Sequence, residues 1–269
     1  MFQIDSKDVT WKENVDMSSV LGRWKRPLRK GKLFRALLGY PGYVRDMYKY
    51  TRMDDAEQIR FADTYPCLLD KTAKTRVDSH YFYQHLLAFK KIHSLNPKLH
   101  VDVGSNVNFV VMLSPITEVH FVDIRPLNVS NVENLKSIKG SILDLPYENN
   151  SLESISCLHV AEHIGLGRYG DPLDPLGTKK AATELSRCLA KGGNLFLSLP
   201  VGKPKVCFNA HRIHSPKQIL DYFSGLKLVE LSGTDDNKRF IERIAIDILE
   251  NARYACGMFW FTKIGDQST

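Results

Sequence analysis

Two short apolar runs fix what most of this chain can fold into. His100-Val101-Asp102-Val103-Gly104-Ser105-Asn106 carries an acid and a turn glycine into a helix-forming stretch. About twenty residues later, Val119-His120-Phe121-Val122-Asp123 ends in a second acid. This is the pattern of a nucleotide-binding βαβ half, in which a buried strand feeds a glycine turn and a helix, and the next strand ends in a carboxylate that reaches ribose hydroxyls. The turn Gly104-Ser105-Asn106-Val107-Asn108 holds one glycine where the dinucleotide fingerprint has three. It makes poor provision for backbone approach to a pyrophosphate, so the expected ligand is an adenosyl compound without phosphates.

The rest of the chain extends the same architecture. Strands are predicted near residues 99–103, 119–123, 137–142, 154–159, 194–199, 227–231 and 257–263, with helices near 107–113, 127–135, 179–190 and 216–223. Further helices are expected within 30–52 and 78–95, the second closed by Asn96-Pro97. Alternation of this kind predicts an α/β fold, a Rossmann-like doubly wound sheet of seven strands with the last one antiparallel. Residues 1–95 read as a basic N-terminal arm and helical lid, in which Tyr81 or Tyr83 faces a ligand or simply packs, and 96–269 as the Rossmann-like domain.

Later landmarks give this fold a family resemblance. Gly140-Ser141-Ile142-Leu143-Asp144-Leu145-Pro146-Tyr147, then Leu158-His159-Val160-Ala161-Glu162-His163, then Lys191-Gly192-Gly193 before Asn194-Leu195-Phe196-Leu197 resemble, in order, segments of the class I S-adenosylmethionine-dependent methyltransferases. The resemblance implies S-adenosylmethionine as cofactor. Its methionine end would lie on Asp102, Gly104, Ser105 and Asn106, its ribose on Asp123 and Ile124, its adenine on Asp144 and Leu145, with His159 at the end of the fourth strand. More narrowly, His163 to Pro175, Phe208-Asn209-Ala210-His211-Arg212-Ile213, Asp63-Thr64-Tyr65-Pro66-Cys67 and Asp70-Lys71-Thr72-Ala73 resemble an uncharacterised methyltransferase-like family found in nematodes and in bacterial surface-polysaccharide gene clusters. That company implies O-methylation of a sugar or glycan acceptor in polysaccharide biosynthesis.

Methyl transfer needs in-line approach of a nucleophile and removal of one proton, so position comes first and a base second. Histidine suits that base near neutral pH. His163, just after the fourth strand, and His211, after the fifth, are the catalytic candidates; each can equally be a structural histidine. The loop from Gly165 to Pro175 is polar and punctuated by glycine and proline, and it supplies Arg168, Tyr169 and Asp171 as acceptor-binding candidates together with Glu162, Asn209 and Arg212. Arg168 could clamp a phosphate or carboxylate, and Asp171 could accept from sugar hydroxyls. No metal is assigned, because Glu162, Asp171 and His211 lack a diagnostic spacing.

Charge is concentrated at one end. Of the formal net +7, residues 20–52 hold ten Lys or Arg against the single acid Asp46, a local +9 that leaves about −2 for the rest. These cations interleave with Trp24, Leu33, Phe34, Leu37 and Leu38. Such an arm can lie on an anionic membrane surface or pack as a basic helix on its own domain. Nucleic acid is disfavoured as a partner, because the fourth strand ends in His159-Val160-Ala161-Glu162 and not in the Asn/Asp-Pro-Pro-aromatic sequence of amino-methylating enzymes. Five cysteines without Cys-x-x-Cys spacing, no signal-peptide pattern and no apolar run of about twenty residues predict a cytoplasmic protein, peripheral at most to the inner face of a membrane. A catalytically silent methyltransferase fold that binds a partner is the competing reading, prompted by the glycine-poor turn; nucleic-acid methylation is the third.

Overall fold

A computed structural model describes residues 17–25 and 33–265, in two compact units divided between Arg76 and Val77. In the first unit, helices α1 (Met17–Lys25) and α2 (Leu33–Tyr50) and a 3-10 turn at Phe61–Asp63 gather around Trp24. Its indole stacks on Tyr40 at 5.6 Å, meets Tyr43 edge-on at 5.7 Å and Phe61 at 5.5 Å. Its N–H donates to Thr64 Oγ1 at 2.9 Å. Phe34, Leu37 and Leu38 lie on the outside of α2, all more than half exposed. The part of the basic run at 26–32 falls outside the described residues.

The second unit begins with α3 (Ser79–Leu95), whose N-terminus is capped by the Asp78 carboxylate accepting from the His80 and Tyr81 N–H groups. It ends at Asn96 in the left-handed conformation. This helix buries Ala88 and Ile92 against Phe109 of the next helix and Val119, Phe121 and Phe196 of the sheet. The division therefore precedes α3, where the sequence places it after residue 95.

There follow β1 (Leu99–Val103), α4 (Val107–Leu113), β2 (Glu118–Asp123), β3 (Leu135–Lys139), β4 (Leu152–Leu158), α5 (Gly177–Cys188) and β5 (Leu189–Val201). After them come a small hairpin of β6 (Lys205–Cys207) and β7 (His211–Ile213), then α6 (Pro216–Tyr222), β8 (Lys227–Thr234), β9 (Phe240–Ile241), α7 (Ile246–Glu250) and β10 (Ala255–Thr262). The sheet order is β3-β2-β1-β4-β5-β10-β8-β9. β3 to β5 run parallel to one another, and β10 inserts antiparallel between β5 and β8. The seven expected strands are all present in the order of the class I methyltransferase fold, with the two-residue β9 added on the β8 edge. One face packs on α3 and α4, while α5 and α6 bury Ala181, Ala182, Leu185, Cys188 and Ile219 on the other.

The helix predicted at 127–135 does not form. Pro126 opens the segment, Asn131 and Asn134 adopt left-handed φ of 60° and 56°, and the Leu127 N–H is taken by Ser137 Oγ at 2.8 Å. Short polar side chains tolerate that backbone region, and a helix does not pass through it. The third strand consequently begins at Leu135 and stops at Lys139, before Gly140.

Candidate active site

The carboxyl ends of β1, β2 and β4 frame a cleft of about 330 Å³. Gly104 closes β1 with φ +70°, and a Cβ there would stand 3.1 Å from Val160 Cγ1 and 3.6 Å from Asp123 Oδ2. A side chain at this position would be strained and would crowd the carboxylate, so glycine keeps the two strand ends open to each other. Asp123 spends Oδ1 on the Arg125 N–H at 2.7 Å, and Oδ2 faces Gly104. Ile124, Ser141, Ile142, Leu143 and Val160 supply the largely apolar wall.

The other turn residues build the turn and do not line the cleft. Asp102 is fully buried, accepting from the Ser105 N–H at 3.0 Å and from the Ser156 hydroxyl. Burial raises its pKa to about 6, against hydrogen bonds that pull the other way. Ser105 Oγ accepts the Leu158 N–H at 3.0 Å, and Asn106 caps α4 through the Asn108 N–H at 2.9 Å. Asp144 and Leu145 are also off the wall. Asp144 is exposed, while the Leu145 side chain is in the core and its N–H is held by Glu184 at 2.7 Å. The cleft is reached instead by Ser141 and Ile142, three residues earlier in the same segment.

His159 and His163 both face the same oxygen of the buried Glu162. Glu162 Oε1 lies 2.8 Å from His159 Nδ1 and 3.7 Å from His163 Nε2. Burial works against the charge on His159, yet the neighbouring carboxylate wins and its pKa is pushed up to about 10. Burial likewise opposes ionisation of Glu162, but His159 holds it below the usual carboxylate range. His163 has the reverse balance: burial lowers its pKa although Glu162 pulls it up, which favours the neutral ring. Its Nδ1–H donates to the Ala210 carbonyl at 2.6 Å, which makes Nε2 the acceptor nitrogen of the ring, with Arg168 Nη1 at 3.5 Å and Glu162 Oε1 at 3.7 Å from it. Glu162, assigned to acceptor binding by the sequence reading, orients histidines and does not reach the cleft.

The loop after His163 is tied down by its own groups. Asp171 accepts the Gly165 N–H at 2.6 Å and the Tyr169 N–H at 3.3 Å, and it still lines the cleft beside Tyr169. Tyr169 carries Arg125 on its ring at 4.4 Å and meets His163 edge-on at 5.8 Å. Arg212 is consumed in donating to the carbonyls of Ile164 and Asp174, so it is a brace and not an acceptor clamp. Arg168 donates to the Ala210 carbonyl at 2.9 Å, and Asn209 sits exposed in the hairpin turn; neither lines the cleft. His211 leans on Tyr254 at 5.4 Å and is likewise off the wall. Of the predicted site residues, the fold therefore collects Gly104, Asp123, Ile124, His159, His163, Tyr169 and Asp171.

Tyr81, near the start of α3, stacks on the His159 ring at 5.2 Å, whereas Tyr83 stacks on Phe240 at 4.7 Å. The aromatic at the site end of α3 is thus Tyr81.

The family profile described as "Caenorhabditis protein of unknown function, DUF268" matches residues 109–251, more than half of the chain. The chain belongs to that family. The profile spans the cleft residues from Val122 to Pro172 and the Arg212 brace. No curated protein matches the chain. Among solved structures it is similar to the YcgJ protein of Bacillus subtilis, at 14% identity over 68% of this chain and 99% of that one, with a TM-score of 0.49. It is also similar to the N-methyltransferase NodS of Bradyrhizobium japonicum in complex with S-adenosylhomocysteine, at 13% identity over 81% and 97%, TM-score 0.49. A TehB-like S-adenosylmethionine-dependent methyltransferase of Corynebacterium glutamicum gives 15% identity over 69% and 97%, TM-score 0.44. All these scores lie below 0.5, and the strand order itself carries the fold.

Proposed function

We propose that this DUF268 protein binds S-adenosylmethionine and transfers its methyl group to a hydroxyl of a sugar or glycan. The observation that carries the reading is the pairing of Asp123 Oδ2 with the side-chain-free Gly104 across the strand ends. A carboxylate there suits two ribose hydroxyls, and the positive φ of Gly104 keeps backbone close to the ligand. Ile124, Ile142 and Leu143 offer an apolar slot for adenine, and the cleft volume falls in the range of small-molecule sites. Bound there, the cofactor supplies an electrophilic methyl on a sulfonium.

The remaining work falls to the chain. His163 Nε2, held as an acceptor by the Nδ1–H bond to Ala210, takes the acceptor hydroxyl proton, and Glu162 at 3.7 Å stabilises the imidazolium that forms. Tyr169, with Arg125 and Arg168 over its ring, lines the cleft beside the same histidine, where its hydroxyl would meet a sugar. Isothermal titration with S-adenosylmethionine and S-adenosylhomocysteine tests the cofactor half. Saturable binding of both is expected, and absence of binding to the folded protein leaves a silent scaffold as the reading.

The first unit is proposed to hold the protein at an anionic membrane surface on the cytoplasmic side. Support comes from the exposed Phe34, Leu37 and Leu38, which share one side of α2 at i, i+3 and i+4 spacing, and from the ten cations of the surrounding sequence. Among the described residues no helix is long and apolar enough to cross a membrane.

A further inference from the structure

Three donors of different elements converge next to the cleft. His80 comes from the first turn of α3, His159 from the end of β4 and Cys256 from β10, and one ligand atom of each lies within 4.8 Å of the other two. We propose that His80, His159 and Cys256 hold a zinc ion, with Glu162 as the carboxylate that orients His159. The site stands whether or not the cleft transfers methyl groups.

The chemistry of the donor set favours this. A tetrahedral zinc with Zn–S near 2.3 Å and Zn–N near 2.0 Å spaces its nitrogen and sulfur ligands by roughly 3.5 Å. His159 Nε2 and Cys256 Sγ stand at 3.6 Å. The other ring nitrogen of His159 is 2.8 Å from Glu162 Oε1. That is the carboxylate–histidine–metal relay by which proteins fix the tautomer and orientation of a ligating imidazole. A second observation points the same way: Glu162 Oε2 is buried without a hydrogen-bond partner among the described residues. A carboxylate in that condition keeps positive charge close by, and a divalent ion on His159 Nε2 would take the place of the proton that the ring otherwise carries beside Glu162.

The surroundings also select an ion over an organic ligand or a substrate. Cys256 is wholly buried, so no acceptor molecule reaches its sulfur, and a nucleophilic Cys-His-Glu triad is the weaker reading. Tyr81 stacks on His159, and Tyr254 stacks on His80 at 5.1 Å, so that aromatic rings cover the faces of both histidines. His159 itself is held at φ +57°, an unfavourable backbone for a histidine that aims the ring at Cys256. Two imidazoles and one thiolate match a borderline-soft ion better than magnesium or calcium, which prefer oxygen. Three protein ligands leave one position for a water molecule, on the side where His159 lines the cleft.

The test uses the full chain, stripped with a chelator and titrated with Zn²⁺ or Co²⁺ alone. One equivalent per chain is expected, and the cobalt form should show a thiolate-to-metal charge-transfer band. Cys256→Ser should abolish the band, and Glu162→Gln should weaken Zn²⁺ affinity about 10- to 100-fold. His80→Ala, a milder change at a helix end, gives the same answer should Cys256→Ser fail to fold, by lowering affinity at least as far as Glu162→Gln does. Zn²⁺ should also protect Cys256 from alkylation, read by peptide mass spectrometry. The proposal is overturned by absence of stoichiometric uptake, by a band that survives Cys256→Ser and disappears in Cys67→Ser or Cys207→Ser, or by Cys256 alkylation at one rate with and without Zn²⁺.

Discussion

Asp123 and His163 carry separate parts of the proposed chemistry, so their substitutions should separate as well. Asp123→Ala removes a charged acceptor from two ribose hydroxyls and should weaken S-adenosylmethionine binding by about 1.5 to 3 kcal/mol in calorimetry. Asp144→Ala serves as the contrast, because Asp144 is exposed and off the cleft wall. Equal losses for the two would take Asp123 out of the site. His163→Ala should leave cofactor affinity within a few-fold and reduce turnover by about a hundredfold or more, the range for loss of a general base. His211→Ala should cost far less, since that ring leans on Tyr254 outside the wall. If His163→Ala does not slow a demonstrated methyl transfer, proximity alone drives the reaction and the ring is structural.

Among the elements, the segment from Gly165 to Gly177 owes its shape to backbone packed on backbone. A Cβ on Gly165 would lie 2.1 Å from the Asp174 carbonyl oxygen, and the residue has φ +80°. Gly170 has φ +87° but open space around its Cα. Alanine at Gly170 therefore meets only the conformational cost of about 1 to 2 kcal/mol. Alanine at Gly165 meets that cost and a collision the loop cannot absorb, so it should destabilise by clearly more, with faster proteolysis near Tyr169. Chemical denaturation of both variants measures the difference. Matching losses would mean that the Gly165–Asp174 closure contributes nothing. The same closure explains why Arg212 is buried: its two donors hold the Ile164 and Asp174 carbonyls at the neck of the loop.

For the whole molecule, buried histidines set the acid limb of stability. Burial holds His85 at about 4, His100 at about 3 and His214 at about 4. Below about 6.5 each binds a proton in the unfolded chain and not in the native one, so its contribution is full above that pH and is lost as pH falls towards 4. Asp102 acts with opposite sign, because its raised pKa lets the native state keep a proton that the unfolded state releases between about 4 and 6. These histidines outnumber Asp102, so the net effect is a loss of stability as pH falls from about 6 to 4. Calorimetric Tm should fall steeply from about pH 6 downwards; a flat Tm there would mean these rings are protonated in the fold. The division at Arg76 supplies another test at this scale. Removing residues 1–76 should end sedimentation with anionic vesicles and leave cofactor binding intact, because every cleft residue lies in the second unit. Vesicle binding by the intact chain should weaken with salt, as surface charges are screened over about 8 Å at physiological ionic strength. Equal sedimentation of both proteins would remove the arm as an anchor.

What the sequence determined by itself is what contiguous residues encode. The strand and turn from His100 to Gly104, the acid at Asp123 and the break at Asn96-Pro97 are local patterns whose physics acts within a few residues. They were enough for the alternation of strands and helices and for the cleft-facing Gly104 and Asp123. The helix expected at 127–135 failed on equally local grounds, the left-handed asparagines, which apolar spacing outweighed in the reading. The tertiary structure alone decided which polar groups remain available. Asp102, Ser105, Leu145 and Arg212 look free in the sequence and are used up by partners in other segments, Glu184 for the Leu145 N–H and distant carbonyls for Arg212. His159 and Cys256 are 97 positions apart and meet only because β10 returns between β5 and β8. No spacing rule reaches that far, since the contact is set by the closing of the sheet and not by any property of the chain near either residue.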